Sequence, residues 1–357
     1  MLLACVAATL VLPDAGCDSK APGPAARGRD AGLGEGGDSN RAGDGQEGGS
    51  SGRDPTTGSH DGGAPEQPPP GDSANSTPCN GYDAYCSLRY DQTCFAATHD
   101  SAANSPEFWQ EPIQDQTLRE QLNYGIRALM LSVYDDGGVA TVCRGRCEDG
   151  NTSLSAVLGD LATFFDENPR EVVTLLVDGK LSADRLADEL RASDLESLAL
   201  AHTSADAWPT LGEMIDAGQR LVVFAATSDE GPAWLLDRNA FIWETGRDWP
   251  SVTAMNCNAA VGATSLPFYL VHHNLVGSDA EGMGGAGGGG GAGGQPVDAD
   301  SSPLALAAEA NAFPVVTGRL QHCESQYRRI PNFVAVDFSR VGDAQGATQV
   351  MNRVRAP

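Results

Sequence analysis

Six short apolar runs recur between Thr93 and Phe338, and they constrain the fold of this 357-residue chain more than any other feature: "TCFAAT", "ALMLSVY", "VVTLLVD", "RLVVFAA", "PFYLVHH" and "FVAVDF". Their β-branched and aromatic content, without strict alternation, suits strands covered on both faces, as in a parallel sheet. Between the runs, "TLREQLNYGI" and "LSAVLGDLATFFDENP" carry apolar residues at helical spacing: Leu118, Leu122 and Ile126, then Leu154, Leu158, Leu161 and Phe165. Strand, helix, strand repeated over roughly 250 residues defines a (β/α)8 barrel or a doubly wound sheet, and the barrel is the expected fold. A hydrophobic fraction of 41%, with five Trp and ten Phe, can fill its core.

The flanking sequence differs in kind. Leu2 to Leu12 is an apolar run too short to span a bilayer but long enough for the core of an export signal, expected over residues 1–17. The stretch ending "AGC" resembles a bacterial lipoprotein signal with Cys17 as the acylated residue; "LLAC" at Cys5 is a second place for it, and Asp14 departs from the apolar residue usual before such a cysteine. Residues 18–78 are Gly, Ser, Pro, Asp and Ala with hardly an apolar side chain, a composition that cannot offset the entropy of ordering, so a disordered tether is expected. Residues 282–296, "GMGGAGGGGGAGGQP", read as a flexible surface loop inside the folded region, which is expected over 79–357. The net charge of −25, of which the tether's ten acids and five bases account for only −5, excludes a nucleic-acid partner and electrostatic docking on anionic bilayers.

Beyond Cys5 and Cys17, seven cysteines remain, and in an exported protein most would be oxidised while one stays outside a disulfide. Cys94, inside the first apolar run, is the expected odd thiol. Cys143 and Cys147 in "VCRGRCEDG" are close enough to pair across a short loop. Zinc would need a second pair of ligands at suitable spacing, and none stands nearby.

In a barrel, active sites gather at the C-terminal ends of the strands. His99 and Asp100 follow the first run, Ser132 and Tyr134 close the second, Arg144 follows a third strand, Asp178 ends the next, His272 and His273 a later one, and Asp337 the last. A histidine, carboxylates and an arginine converging on one mouth suit proton transfer and the gripping of a phosphate.

The blocks "CSLRYDQTCFAATHDSAAN", "QTLREQLNYGIRALMLSVYDDGG", "TVCRGRC", "ENPREVVTLLVDG" and "IPNFVAVDFSRVGD" resemble, in order and spacing, the X-domain of phosphatidylinositol-specific phospholipase C and its bacterial and plant relatives. The resemblance implies a distorted TIM barrel that cleaves the phosphodiester of a phosphoinositide or of a glycosyl-phosphatidylinositol anchor. One histidine activates the inositol 2-hydroxyl, which attacks phosphorus to give a cyclic phosphate, and a second histidine protonates the departing glycerol oxygen. On this pattern His99 in "THDS" falls on the general base. Asp100 falls on a position that helps hold the site, and Asp337 falls on the carboxylate that orients the base.

Three departures from the pattern bear on activity. Met130 and Ser132 stand where calcium-dependent members carry acids, so calcium loses its oxygen ligands and no metal or cofactor is expected. Asp178, aligned with a metal-binding carboxylate of those members, is then left to a structural or electrostatic role. The third block reads "CRG" rather than "CHG", placing Arg144 where the acid histidine stands; a guanidinium can clamp a phosphate but is a very poor proton donor. In "FYLVHHNLV", His273 is the residue that matches a histidine common in relatives, with a relocated acid as one role and packing as another. Two functions follow. One is an exported, metal-independent phosphodiesterase with His99 as base and Arg144 as phosphate clamp. The alternative is a catalytically degenerate barrel that binds a phosphorylated ligand or a surface partner.

Overall fold

The computed structural model describes residues 77–203, 206–227, 231–276 and 302–353. The expected signal, its Cys17, the tether up to residue 76 and the Gly-rich loop 282–296 lie outside the described residues.

All six apolar runs are strands. They form β1 (Phe95–Thr98), β2 (Ala128–Asp136), β5 (Val173–Gly179), β6 (Leu221–Ala225), β10 (Phe268–His272) and β11 (Phe333–Val336). Two further strands, β7 (Leu235–Asp237) and β8 (Ile242–Thr245), complete eight parallel staves; at three and four residues they are too short to show a pattern in sequence. Pairing runs β7-β6-β5-β2-β1-β11-β10-β8, so chain order closes on itself through the β1–β11 seam, where Phe95 pairs with Phe333 and Thr98 with Val336. Among the described residues no ladder joins β7 to β8, and the barrel is distorted at that seam.

Helices α1 (Leu118–Tyr124), α2 (Leu154–Glu167), α3 (Ala183–Ala192), α4 (Leu211–Asp216), α5 (Arg238–Phe241), α6 (Pro303–Ala310), α7 (Phe313–Tyr327) and α8 (Ala344–Arg353) connect or cover the strands. In α1, Thr117 and Glu120 form a capping box and Gly125, at φ 112°, ends the helix. Ile126, expected on its apolar face, therefore lies past the last turn, buried at the entry to β2.

The strand before Arg144 is not a stave. β2 overruns the barrel rim and its last residues pair antiparallel with β3 (Val139–Cys143), which pairs in turn with β4 (Asn151–Ser153). The tight return needs Gly137 and Gly138, both at positive φ (62° and 89°), a conformation that costs a Cβ-bearing residue energy. A short β9 (Ala259–Val261) pairs likewise with β8.

Side chains alternate between two apolar layers. Phe95, Ala97, Met130, Leu176, Phe224, Leu236, Phe268, Leu270, Phe333 and Ala335 fill the barrel, whereas Leu129, Leu131, Leu175, Val177 and Val223 pack outward against the helices. Disulfides join Cys79 to Cys86, Cys143 to Cys147 and Cys257 to Cys323, and the buried Cys94 stands outside them.

Candidate functional site

Period two along each stave decides what reaches the mouth. After Phe95 and Ala97 the next inward position is His99; after Ala128 and Met130 it is Ser132; after Leu176, Asp178; after Leu236, Arg238; after Ile242, Glu244; after Phe268 and Leu270, His272; and after Phe333 and Ala335, Asp337. Seven of the eight inward columns are thus apolar below and polar at the C-terminal end; on β6 the position after Phe224 is Ala226. A cavity of about 350 Å³ opens there, and its lining includes His99, Asp100, Met130, Ser132, Arg144 and Asp178.

His99, only 2% exposed, is gripped at both ring nitrogens. Its Nδ1 lies 2.8 Å from Asp337 Oδ1 and its Nε2 lies 2.8 Å from Nδ1 of His272. The two ring planes agree within 11° with centroids 5.1 Å apart, the spacing of imidazoles bonded edge to edge rather than piled face on face. Nε2 of His272 continues the line to Glu244 Oε2 at 2.8 Å, and Glu244 Oε1 accepts from Arg238 Nη2 at 2.8 Å. Arg238 closes the line with an ion pair to Asp178. Burial first of all pulls His272 down to about 4, against the upward pull of Glu244. Burial alone would raise Glu244; the hydrogen bond from His272 and the charge of Arg238 outweigh it and bring that carboxyl down to about 2. Near neutral pH Glu244 is therefore an anion.

The opposite wall is looser. Ser132 Oγ donates to Asp100 Oδ1 at 2.9 Å, and burial holds the Asp100 carboxyl above the usual range despite that bond and the nearby His99 and Arg144. Arg144, on the short loop tied by Cys143–Cys147, places Nε 3.7 Å from Asp100 Oδ2 and Nη1 3.5 Å from the Glu111 carboxylate. Its side chain is 37% exposed, so it faces both cavity and solvent.

The structure thus brings His99, Asp100, Ser132, Arg144, Asp178 and Asp337 to one mouth. It places His273 elsewhere: adjacent strand residues face opposite sides, and His273 points outward, its Nε2 donating to the Ala310 carbonyl at 2.8 Å and its Nδ1 accepting from Arg319 Nη1 at 3.1 Å. His272 occupies the inward place instead. Neither Glu244 nor Arg238 stood out in the sequence, although both lie two residues past a barrel-filling side chain. Calcium does not fit the pocket: Met130 offers a thioether, Asp178 is engaged by Arg238, and Asp100 by Ser132 and Arg144.

An eight-stave parallel barrel with a carboxylate-backed histidine and an arginine at its C-terminal mouth is a distorted TIM barrel with its titratable residues gathered at the strand ends. Comparison with known proteins gives the family. The family model described as PI-PLC X 1 matches residues 85–276, and the chain belongs to the PI-PLC X-domain family. "PI-PLC X domain-containing protein 1" of Arthroderma benhamiae is 32% identical over 290 residues, 77% of this chain and 89% of that protein. A second Arthroderma benhamiae protein, described as an uncharacterized secreted protein, is 27% identical across 76% of this chain and 62% of its own length. A PI-PLC X domain-containing protein of Arabidopsis thaliana is 24% identical across 68% of this chain and 55% of its own length. Among solved structures, a variant of the phosphatidylinositol-specific phospholipase C of Staphylococcus aureus is 13% identical with a TM-score of 0.49, covering 74% of this chain and 93% of that one.

Proposed function

We propose that this protein is a phosphoric diester hydrolase of the phosphatidylinositol phospholipase C type, working without a metal ion. The observation that carries the proposal is the His99–Asp337 pair at 2.8 Å, with His99 on the cavity wall and Arg144 lining the same cavity. Asp337 fixes the ring so that Nε2 is the reacting nitrogen. His99 takes the proton of the inositol 2-hydroxyl, and the oxygen attacks phosphorus to close a five-membered cyclic phosphate. Arg144 stabilises charge on the phosphoryl oxygens and has no proton to give. The departing oxygen then draws its proton from water, which favours substrates with good leaving groups.

A second reading, a degenerate barrel that holds a phosphorylated ligand, is favoured by one observation: both nitrogens of His99 are already bonded within the protein. Purified protein incubated with phosphatidylinositol vesicles in EDTA separates the two. Appearance of inositol cyclic phosphate supports hydrolysis, whereas saturable binding of inositol phosphate without product supports the degenerate barrel.

Export through a signal over residues 1–17, with lipid attachment at Cys17 and a tether to residue 78, completes the proposal. It is supported by three disulfides and by likeness to a protein described as secreted. Mass spectrometry of the membrane fraction would show a diacylated Cys17 if the anchor exists and an unmodified chain if it does not.

A further inference from the structure

We propose that His272, braced by Glu244, is the second half of the catalytic base: His99 and His272 hold one proton between them, and the base is free to act only when that proton leaves.

Proton counting along the line carries the proposal. Asp337, His99, His272 and Glu244 are joined by three contacts of 2.8 Å each. A contact this short between two nitrogen or oxygen atoms needs one hydrogen in it; with none, two lone pairs face each other. Three contacts need three protons. Two neutral imidazoles with two carboxylates supply only two, so the closed line carries a third, and the ring pair is a monocation between two anions. His272 is the ring that gives way: burial keeps it neutral well below neutral pH, so it donates Nε2–H to Glu244 and accepts at Nδ1. The third proton then sits on Nε2 of His99, the atom that must be bare for catalysis.

The surrounding charges all bear on this proton. Asp337 follows β11, Glu244 lies on β8 with Arg238 behind it, Asp100 is next to His99, and Arg247 lies beyond β8. On the outer face lie His273 and Arg319, and Arg144 and Asp178 stand at the mouth beside Asp100 and Arg238.

Loss of the third proton leaves lone pairs on His99 Nε2 and His272 Nδ1 facing each other, which drives the rings apart and turns Nε2 toward the cavity that His99 lines. On the phosphodiesterase reading, on which the catalytic half of this proposal rests, a substrate hydroxyl takes that place. Its O–H bond breaks, an N–H bond forms at Nε2, the oxygen bonds to phosphorus, and the leaving oxygen takes a proton from water. The pair recloses around the captured proton and later returns it to the hydroxide so formed. His272 therefore strengthens the base by sharing its load, a role His273, pointing outward, does not share.

The test uses the full chain labelled with nitrogen-15 histidine, followed by NMR through a pH titration, with no turnover needed. The expected result is three slowly exchanging ring N–H protons on the His99–His272 pair, of which the third alone is lost as the pH rises, in one step in which both rings move together. In His272→Phe, and separately in Glu244→Gln should the first variant not fold, the proton on His99 Nε2 should be lost under conditions in which the unmutated protein keeps it. Only two ring protons on the pair at neutral pH, or a His99 Nε2 proton kept in the folded variants as in the unmutated protein, would overturn the proposal. If the protein also hydrolyses phosphatidylinositol, the acid limb of its kcat/KM profile should move with the NMR titration. A shared proton in a protein that releases no inositol phosphate would leave the proton count standing and sink the hydrolase.

Discussion

On one side of the mouth, His99 and His272 are each 2% exposed and sit in an unbroken line of 2.8 Å contacts; on the other, Arg144 is 37% exposed and reaches Asp100 only at 3.7 Å. The first wall is built from four staves whose inward residues are fixed by the barrel's own packing. The second hangs on a hairpin that overruns the rim. A buried line of charged hydrogen bonds is strong and unforgiving, because a missing partner leaves a desolvated charge; an exposed ion pair is worth little and tolerates replacement. The difference shows where this family member could exchange a residue without unfolding: the arginine stands on the tolerant wall, and the base on the intolerant one.

The sharpest way to break the comparison is to mutate both walls. His99→Ala is expected to lower the rate of inositol phosphate release by about 10²- to 10⁴-fold, the usual contribution of a general base, while Ser132→Ala, which removes one bond to Asp100, should cost less than about tenfold. Comparable losses from the two would contradict the asymmetry.

Stability should divide the same way. The Cys257–Cys323 bridge, at a sequence separation of 66, ties the segment before β10 to α7 on the base side, whereas Cys143–Cys147 spans only 4. Loop-closure entropy gives about 4 kcal/mol for the first and about 2 kcal/mol for the second. Replacing each pair by alanines and measuring urea unfolding should reproduce that order.

A smaller effect comes from pH. Burial holds both His272 and His273 down to about 4, below the ordinary value of 6.5, so the unfolded chain takes up protons that the native protein refuses. Their contribution is full above pH 6.5 and is lost as the pH falls toward 4, on the order of 3 kcal/mol per ring. Urea midpoints should fall through that window, and His273→Leu should flatten the slope. A midpoint that is flat from pH 7 to about 4 would contradict the burial of neutral rings.

Much of this was legible in the sequence, and the reasons it stopped are local. Runs such as "VVTLLVD" declare a buried strand because both faces are covered, and all six such runs are staves. "LLD" and "IWET" are too short to declare anything, so β7 and β8, and with them Arg238 and Glu244, went unseen. The choice between His272 and His273 was readable by counting in twos from Phe268 and Leu270; matching "HH" to a familiar pattern picked the outward one. Arg144 was found from its motif, yet its strand is a hairpin partner of β2, because the glycines at 137 and 138 turn the chain back on itself. The line from Asp178 to Asp337 could not be read at all, since it joins residues from six separate parts of the chain.

One measurement bears most directly on the proposal that the mouth supplies a base but no proton to the leaving oxygen: the rate of the unmutated protein on inositol phosphates esterified with nitrophenol and with a simple alcohol. Nitrophenolate leaves without a proton and an alkoxide does not. The expected result is much faster cleavage of the nitrophenyl ester, with Arg144→His raising only the alkyl rate, toward the 10²- to 10⁴-fold that a general acid contributes. Equal rates on the two esters before any substitution would show that a proton donor survives in the site and would contradict the account.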